Sequence, residues 1–431
     1  MARARLTWRT RTGRAVLSSC GALVALALLA GGFYWWGGPR EHRMAQRVLD
    51  EACDGVLPSR EMRDVLGDGP FEKGPGRVDV LLSEDEEGSD RAGDEGRTVT
   101  CSVTGDGVPV AGGGTNEAEV QVTVQSVPQR RGGDFAVDRA SVRGRGTNPL
   151  YPRPAAELPP VGLGGGWRGL FTTGESATDT DPSVGSGATV VTLLDCARDR
   201  GGLLVTVDAK DEDITLDDPR RRAAFARIAT GTAVKASGKW GCDAAPGKPL
   251  RTVALPVNAD ESVPLADASG TCEGVPGRGG RVSRAWESAS GESPVEVCVV
   301  AGGRPELPGP APSDETPRYH LTAFYGPYAV SERLDHERRH GEYTEEPGPA
   351  DAPAGRLAGG GRWASAVCRD GSGPALFTVR DEGAWREDRS GTYDRHRTKP
   401  SAADLAHEHA ALKEFARRSA HAHGCGTPEL S

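Results

Sequence analysis

The longest uninterrupted apolar run of the chain comes early: AVLSSCGALVALALLAGGFYWW, residues 15–36, carries no charged side chain. On a helix these residues rise about 33 Å, enough to cross a hydrocarbon layer of roughly 30 Å, so a transmembrane helix is expected here. Beyond it the apolar positions come in shorter groups. TVTCSV (98–103) and VEVCVV (295–300) are β-rich and read as strands. CARDRGGLLVTV (196–207) and CRDGSGPALFTV (368–379) place glycines between two such runs, the pattern of a hairpin. Mixed apolar and polar spacing predicts short helices over MAQRVLDEA (44–52), SREMRDVLG (59–67) and RVSRAWES (281–288). Longer amphipathic helices run toward Cys242 and Cys425 and share Phe-Ala-Arg at 225–227 and 415–417.

These elements recur in order. CDGV (53–56) and CEGV (272–275) each precede a short helical stretch, a cysteine-bearing strand, a glycine hairpin and a final helix. The two hairpin segments align without a gap, matching at the cysteine, Gly201/Gly373, Leu204/Leu376, Thr206/Thr378 and Val207/Val379. The expected fold is therefore α+β: an N-terminal transmembrane helix, then two tandem duplicated domains, each an antiparallel sheet with flanking helices. The boundaries follow as a cytoplasmic tail (1–14), the span (15–36), a stem (37–50), domain 1 (51–256), a linker (257–270) and domain 2 (271–431).

Apart from Cys20, each half holds four cysteines: Cys53, Cys101, Cys196 and Cys242, then Cys272, Cys298, Cys368 and Cys425. An even count in an oxidising compartment points to disulfides. Three pairings are open within each half. First-with-second and third-with-fourth is the expected set, because each bond then pins a helix to a neighbouring strand. Zinc binding by these cysteines would call for CxxC spacing, which the sequence lacks.

Charge sets the orientation. Residues 1–14 hold five arginines and no acid, which keeps this end in the cytoplasm and sends residues 37–431 outside, with Phe33, Tyr34, Trp35 and Trp36 at the outer interface. The expected location is a single-pass cell-membrane protein with its bulk extracytoplasmic. A cleaved signal peptide with Ala25-Leu26-Ala27 as its site is the competing reading; the apolar run continues past that site. Leu17-Ser18-Ser19-Cys20 matches a lipobox locally, but the apolar region follows the cysteine instead of preceding it. The formal charge is −9 overall, and −14 once the five arginines are set aside, so nucleic acid is not an expected partner.

A cysteine, a short helix ending near Leu66-Gly67 and a strand with the second cysteine, Cys101, echoed by Cys272 and Cys298, resembles a group of actinobacterial exported or membrane-anchored proteins of unknown function. Their domains are similar to the PsbP-like α/β sandwich. The resemblance implies that fold and brings no catalytic residues.

Candidate chemistry is sparse. HERRH (336–340) has the zincin spacing, in which His336 and His340 share one helix face to bind Zn²⁺ and Glu337 activates water. Against it, few apolar residues anchor the segment, Arg338 and Arg339 sit beside the would-be cation site, and Gly341 follows at once. His407, Glu408, His409, His421 and His423 crowd the C-terminal helix, but histidines two apart point to different faces, and an exposed helix face is the expectation. GGGWRG (164–169) fits GxGxxG in spacing alone, and no GxSxG or Walker A run occurs. Trp167, Trp240, Trp286, Trp363 and Trp385 are expected in core packing. The function expected is non-enzymatic: binding an envelope protein or ligand, or an accessory role, with no cofactor. The alternative is a zinc-dependent hydrolase built on His336, Glu337 and His340.

Overall fold

The computed structural model describes residues 43–74, 76–81, 96–107, 117–127, 150, 158–173, 187–196, 201–211, 216, 218–258, 260–291, 293–303, 319–333, 352–357, 361–369, 373–381, 384–387, 393–396 and 400–430. The predicted span and the HERRH segment lie outside them. No helix among the described residues is long and apolar enough to cross a membrane.

Two antiparallel sheets and a few helices make an α+β fold. The chain enters through α1 (residues 43–51) and α2 (Ser59–Leu66). Gly67 stops α2 at φ 81°, where a Cβ would lie 2.3 Å from the Gly107 carbonyl oxygen. The first sheet contains β1 (Glu72–Lys73), β2 (Arg77–Leu81), β3 (Gly96–Gly105), β4 (Ala118–Val127), β5 (Val161–Gly162), β6 (Arg168–Thr173), β7 (Gly187–Asp195) and β8 (Gly202–Asp211). Its strands run β1-β3-β4-β8-β7-β6-β5, with β2 also on β3. Helix α3 (Pro219–Lys239) follows, started by Pro219 and capped by the Asp218 carboxylate, which accepts from the Arg220 amide at 2.9 Å.

The second sheet contains β9 (Val263–Pro264), β10 (Arg284–Glu287), β11 (Val295–Ala301), β12 (Tyr319–Tyr325), β13 (Ala354–Arg356), β14 (Arg362–Val367) and β15 (Pro374–Asp381), in the order β13-β14-β15-β12-β11-β10-β9. Helix α4 (327–333) follows β12. A separate hairpin, β16 (Ala384–Glu387) and β17 (Tyr393–His396), leads to α5 (Ala402–Ala422), which opens on a reciprocal capping box between Ser401 and Asp404.

Strands β2, β3, β4, β6, β7 and β8 and strands β10 to β15 have the same spatial order: first, second, third, sixth, fifth, fourth. The register agrees as well. Across the first sheet a row runs Cys101, Val122, Val207, Val190. Across the second it runs Cys298, Leu321, Val379, Arg362. Val207 stands as far from Cys196 as Val379 does from Cys368. Both hairpins close identically, Cys196 N–H to Gly201 O at 2.8 Å and Cys368 N–H to Gly373 O at 3.1 Å, with the two glycines at φ 80° and 81°. The CxGV segments share their closing bond and their glycine, Val56 N–H donating to Cys53 O and Val275 N–H to Cys272 O over Gly55 at φ 73° and Gly274 at φ 77°. They do not share their whole backbone, because Cys53 and Asp54 are left-handed at φ 47° and 56° whereas Cys272 and Glu273 are not.

Alternation along the strands sorts the core into three layers. Val120, Val122, Val205 and Val207 face α3, with Phe225, Ile228 and Ala229 packed on them. Leu321, Phe377 and Val379 face α5 through Leu412, Phe415 and Ala416. The opposite faces of the two sheets meet: Leu170, Val191, Leu193 and Leu204 pack with Trp286, Val297, Val299, Phe324 and Leu376. The Tyr328 hydroxyl crosses between the halves to the Arg168 carbonyl at 3.2 Å. The layers thus run helix, sheet, sheet, helix.

The four disulfides are Cys53–Cys101, Cys196–Cys242, Cys272–Cys298 and Cys368–Cys425, the pairing expected from sequence. Three sequence readings are corrected. RVSRAWES is not a helix: β10 occupies its centre, because Ala285 enters the α5-side core while Trp286 enters the inter-sheet core, and only an extended chain sends neighbours to opposite faces. The stretch 257–270 is more than a linker, since it contains β9, which pairs with β10 beyond it. The two Phe-Ala-Arg triplets are not equivalent. Helices α3 and α5 match end to end when Cys242 is set on Cys425, which offsets the triplets by seven residues, about two turns, and so preserves the helix face.

Candidate functional site

Of the residues singled out in sequence, His336, Glu337 and His340 lie outside the described residues. All eight paired cysteines are consumed in disulfides. Among the described residues no group of three or more His, Cys, Asp or Glu side chains is arranged to hold a metal ion. Trp167, Trp286 and Trp363 are buried. Trp240 is partly buried, with the Arg97 guanidinium 5.1 Å from its ring centroid. The C-terminal helix departs from expectation: His407 and Glu408 are buried, and so is the start of a polar cluster around His423.

That cluster centres on Glu296. In β11 it shares a face with Cys298 and Val300, so the strand drives a carboxylate into the core beneath α5; its side chain is 1 % exposed. Isolated, such a charge would cost several kcal/mol. Three donors surround it instead. The Gly291 amide and His423 Nε2 (3.1 Å) meet Oε1, and the Ser419 hydroxyl meets Oε2. Because the single Ser419 proton goes to the carboxylate, Tyr325 must donate its own to Ser419 Oγ. The His423 ring stacks on Tyr325 at 3.6 Å between centroids, 15° from parallel. Burial, and after it the Glu296 charge, hold the Tyr325 phenol well above its ordinary pKa, which keeps it a neutral donor.

Serine, histidine and glutamate are all present, yet they do not form a nucleophilic triad. A triad puts imidazole between hydroxyl and carboxylate so that it can take the hydroxyl proton. Here the hydroxyl donates directly to the carboxylate, and the imidazole bonds the other carboxylate oxygen.

A cleft of about 370 Å³ opens on this cluster. Glu296 and Ser419 line it together with Ser290 from the β10–β11 loop and Arg417, Arg418 and His421 from the last turns of α5. Each rim arginine has a carboxylate: Arg417 forks onto Glu414 at 2.6 and 3.1 Å, and Arg418 pairs with Glu273, the acid of CEGV. The volume falls within the 300–1,000 Å³ typical of ligand pockets.

No protein-family model, curated protein or solved structure matches the chain.

A second buried polar cluster lies at the other end of α5. Tyr319 packs on His407 with ring centroids 5.1 Å apart, beside the Arg278–Asp404 ion pair. His407 Nε2 and Glu408 Oε2 are buried without hydrogen-bond partners among the described residues. Burial, then the Asp381 charge, push the Glu408 carboxyl up, while burial, then the Arg278 charge, push the His407 imidazole down, so both favour their neutral forms.

Glu296 was the residue missed in sequence, although a signal existed. In VEVCVV the acid stands two positions before a disulfide cysteine, hence on the face that the cysteine sends into the core. Ser419 and His423 had no comparable mark, because only the position of α5 over β11 and β12 brings them to Glu296.

Proposed function

We propose that the chain is a membrane-anchored extracytoplasmic protein whose two halves descend from one duplicated domain. In this reading the first half is a scaffold and the second binds a ligand in the cleft over Glu296, a binding or accessory role at the envelope with no chemistry of its own. The disulfides support an oxidising, extracytoplasmic setting.

One observation carries the assignment of binding to the second half. Set disulfide on disulfide, Glu296 falls on Val99, Ser419 on Ala236 and His423 on Trp240. The first half builds the same layers with apolar side chains at these places, so the fold does not require the acid. Buried polar groups that a fold does not need concentrate at functional sites.

The test is a thermal-shift screen of the full-length oxidised chain against small polar molecules, repeated on Ser290→Trp, which fills the cleft from an exposed loop position. A ligand at one hundred times its Kd should stabilise the chain by about 2.7 kcal/mol. That stabilisation should vanish in the variant. Stabilisers that act equally on both proteins, or none at all, would remove the cleft from consideration.

A further inference from the structure

We propose that the cleft receives a primary ammonium group, carried by an amino acid or short peptide whose carboxylate meets Arg417 and Arg418. The inference rests on the binding role proposed above and names its ligand class.

The floor of the cleft is richer in acceptors than in donors. Neither an arginine nor a lysine pairs with Glu296 among the described residues, and its three donors are an amide, a hydroxyl and the His423 ring. Two carboxylate oxygens offer about four acceptor positions, so one remains. Ala422 lines the same cleft at the end of α5. The carbonyls of Ser419, Ala420 and His421 accept from His423, Cys425 and Gly424, whereas that of Ala422 accepts no hydrogen bond among the described residues. The last carbonyls of a helix also carry the negative end of its dipole. What the floor lacks is a cation that only donates. A primary ammonium, with three donors and no acceptor, fits that description. A hydroxyl brings one proton to these acceptors where an ammonium brings three.

The rim has the opposite character. The Arg417–Glu414 and Arg418–Glu273 pairs are partly exposed on both sides, with side-chain exposures of 57 and 30 % and of 37 and 45 %. Pairs this wet contribute little on their own. A ligand carboxylate can therefore replace Glu414 or Glu273 at small cost. A positive end at the floor and a negative end at the rim describe a zwitterion.

Isothermal titration of the full-length oxidised chain with Ala-Ala, N-acetyl-Ala-Ala and Ala-Ala amide tests this. Ala-Ala should bind. Acetylation, which removes the cation, should weaken binding at least tenfold, and amidation about threefold, because the arginines already have partners. Glu296→Gln should abolish binding, and since that change touches a buried network, the ligand series on the unaltered chain decides. If N-acetyl-Ala-Ala binds as well as Ala-Ala, and Ser290→Trp removes both, the ammonium class is overturned while the cleft stands. The same holds if none of the three binds but other molecules do in a Ser290→Trp-sensitive way. If Ser290→Trp disturbs no binding of any kind, both readings fall.

Discussion

Val99 and Glu296 stand in the same place in the two sheets, each two residues ahead of a cysteine bonded to its CxGV turn, each facing the long helix of its own half. Around Val99 the first half has Ala236, Trp240 and Ser126; around Glu296 the second has Ser419, His423 and Tyr325. At the other end of the helices Val120, Ala224 and Phe225 answer Tyr319, His407 and Glu408. The layers, strand order and braces are common, so they cannot be what distinguishes the halves. The difference is confined to which side chains fill the space between sheet and helix. In the first half that space is apolar and nearly free of charge, while in the second it holds two buried carboxyl groups, two histidines and two phenols. Each half is therefore a control for the other: a residue that one fills with valine or alanine is not demanded by the architecture.

The braces are the place to break the likeness. Removing Cys53–Cys101 or Cys272–Cys298 as a pair of serines releases loops with sequence separations of 48 and 26, and chain entropy predicts losses of about 4 and 3.5 kcal/mol. Urea denaturation of the two double variants, read by tryptophan fluorescence, should show these losses within about 0.5 kcal/mol of one another. A brace that costs one half several kcal/mol more than the other would mean that the two turns do different work.

Exchange of the central residues sharpens the difference. Val99→Glu buries a carboxylate where no donor set exists and should cost about 3 kcal/mol or more. Glu296→Val strands the Ser419 and His423 donors and should cost about 1–3 kcal/mol. Adding Ser419→Ala and His423→Trp rebuilds the first-half solution and should recover stability relative to Glu296→Val alone, while ligand binding stays lost. No loss of stability for Glu296→Val in chemical denaturation would show that the donors around Glu296 contribute nothing.

Much of this scaffold could be read in the chain before folding. The cysteine contexts pointed to the pairing because three of the four bonds had a helix and a strand to join, the exception being Cys272–Cys298, which joins a turn to β11. The gapless match of 196–207 with 368–379 marked equivalent hairpins. What escaped was decided by partners distant in sequence. Helical spacing over RVSRAWES lost to pairing with β11 and to two different cores that claim Ala285 and Trp286. His407 and Glu408 looked like one more polar turn of an exposed helix, and only the placement of α5 over β12, β14 and β15 buries them. The cleft was illegible for the same reason, since its walls come from segments more than a hundred residues apart.

The second polar cluster predicts a pH signature confined to the second half. Glu408 has its folded pKa raised, so the native state holds its proton more tightly than the unfolded chain does; the stability this gives is complete below the ordinary value of 4.5 and is lost as pH rises above it. His407 has its folded pKa lowered, so its contribution is complete above 6.5 and is lost as pH falls below that value. Glu408→Gln should therefore be more stable than the parent at pH 7, with the gap closing toward pH 4, when unfolding free energies are compared across that range. A gap independent of pH would mean that the carboxyl does not titrate differently on folding.

The smallest effect is expected where the first half keeps its own charge. Burial raises the Asp54 pKa, but hydrogen bonds from Lys239 and Trp240 and the charges of Arg97 and Lys239 outweigh it, leaving the carboxyl below its ordinary 3.8. Arg97 and Lys239 lie 2.9 and 3.1 Å away, yet both are partly exposed, with side-chain exposures of 39 and 47 %, and so is Asp54. Water screens such pairs, which limits Asp54→Asn to a loss of about 1 kcal/mol or less. Asparagine suits the swap because Asp54 sits at φ 56°, a left-handed conformation that it tolerates nearly as well, so backbone strain does not confuse the reading. Since the folded pKa is depressed, the loss should be full at neutral pH and disappear as pH falls below 3.8. Salt should shrink it too, by screening the exposed ions. A loss near that of the Val99→Glu exchange would place a second costly charge network in the half read here as plain scaffold, and the division of labour between the halves would have to be abandoned.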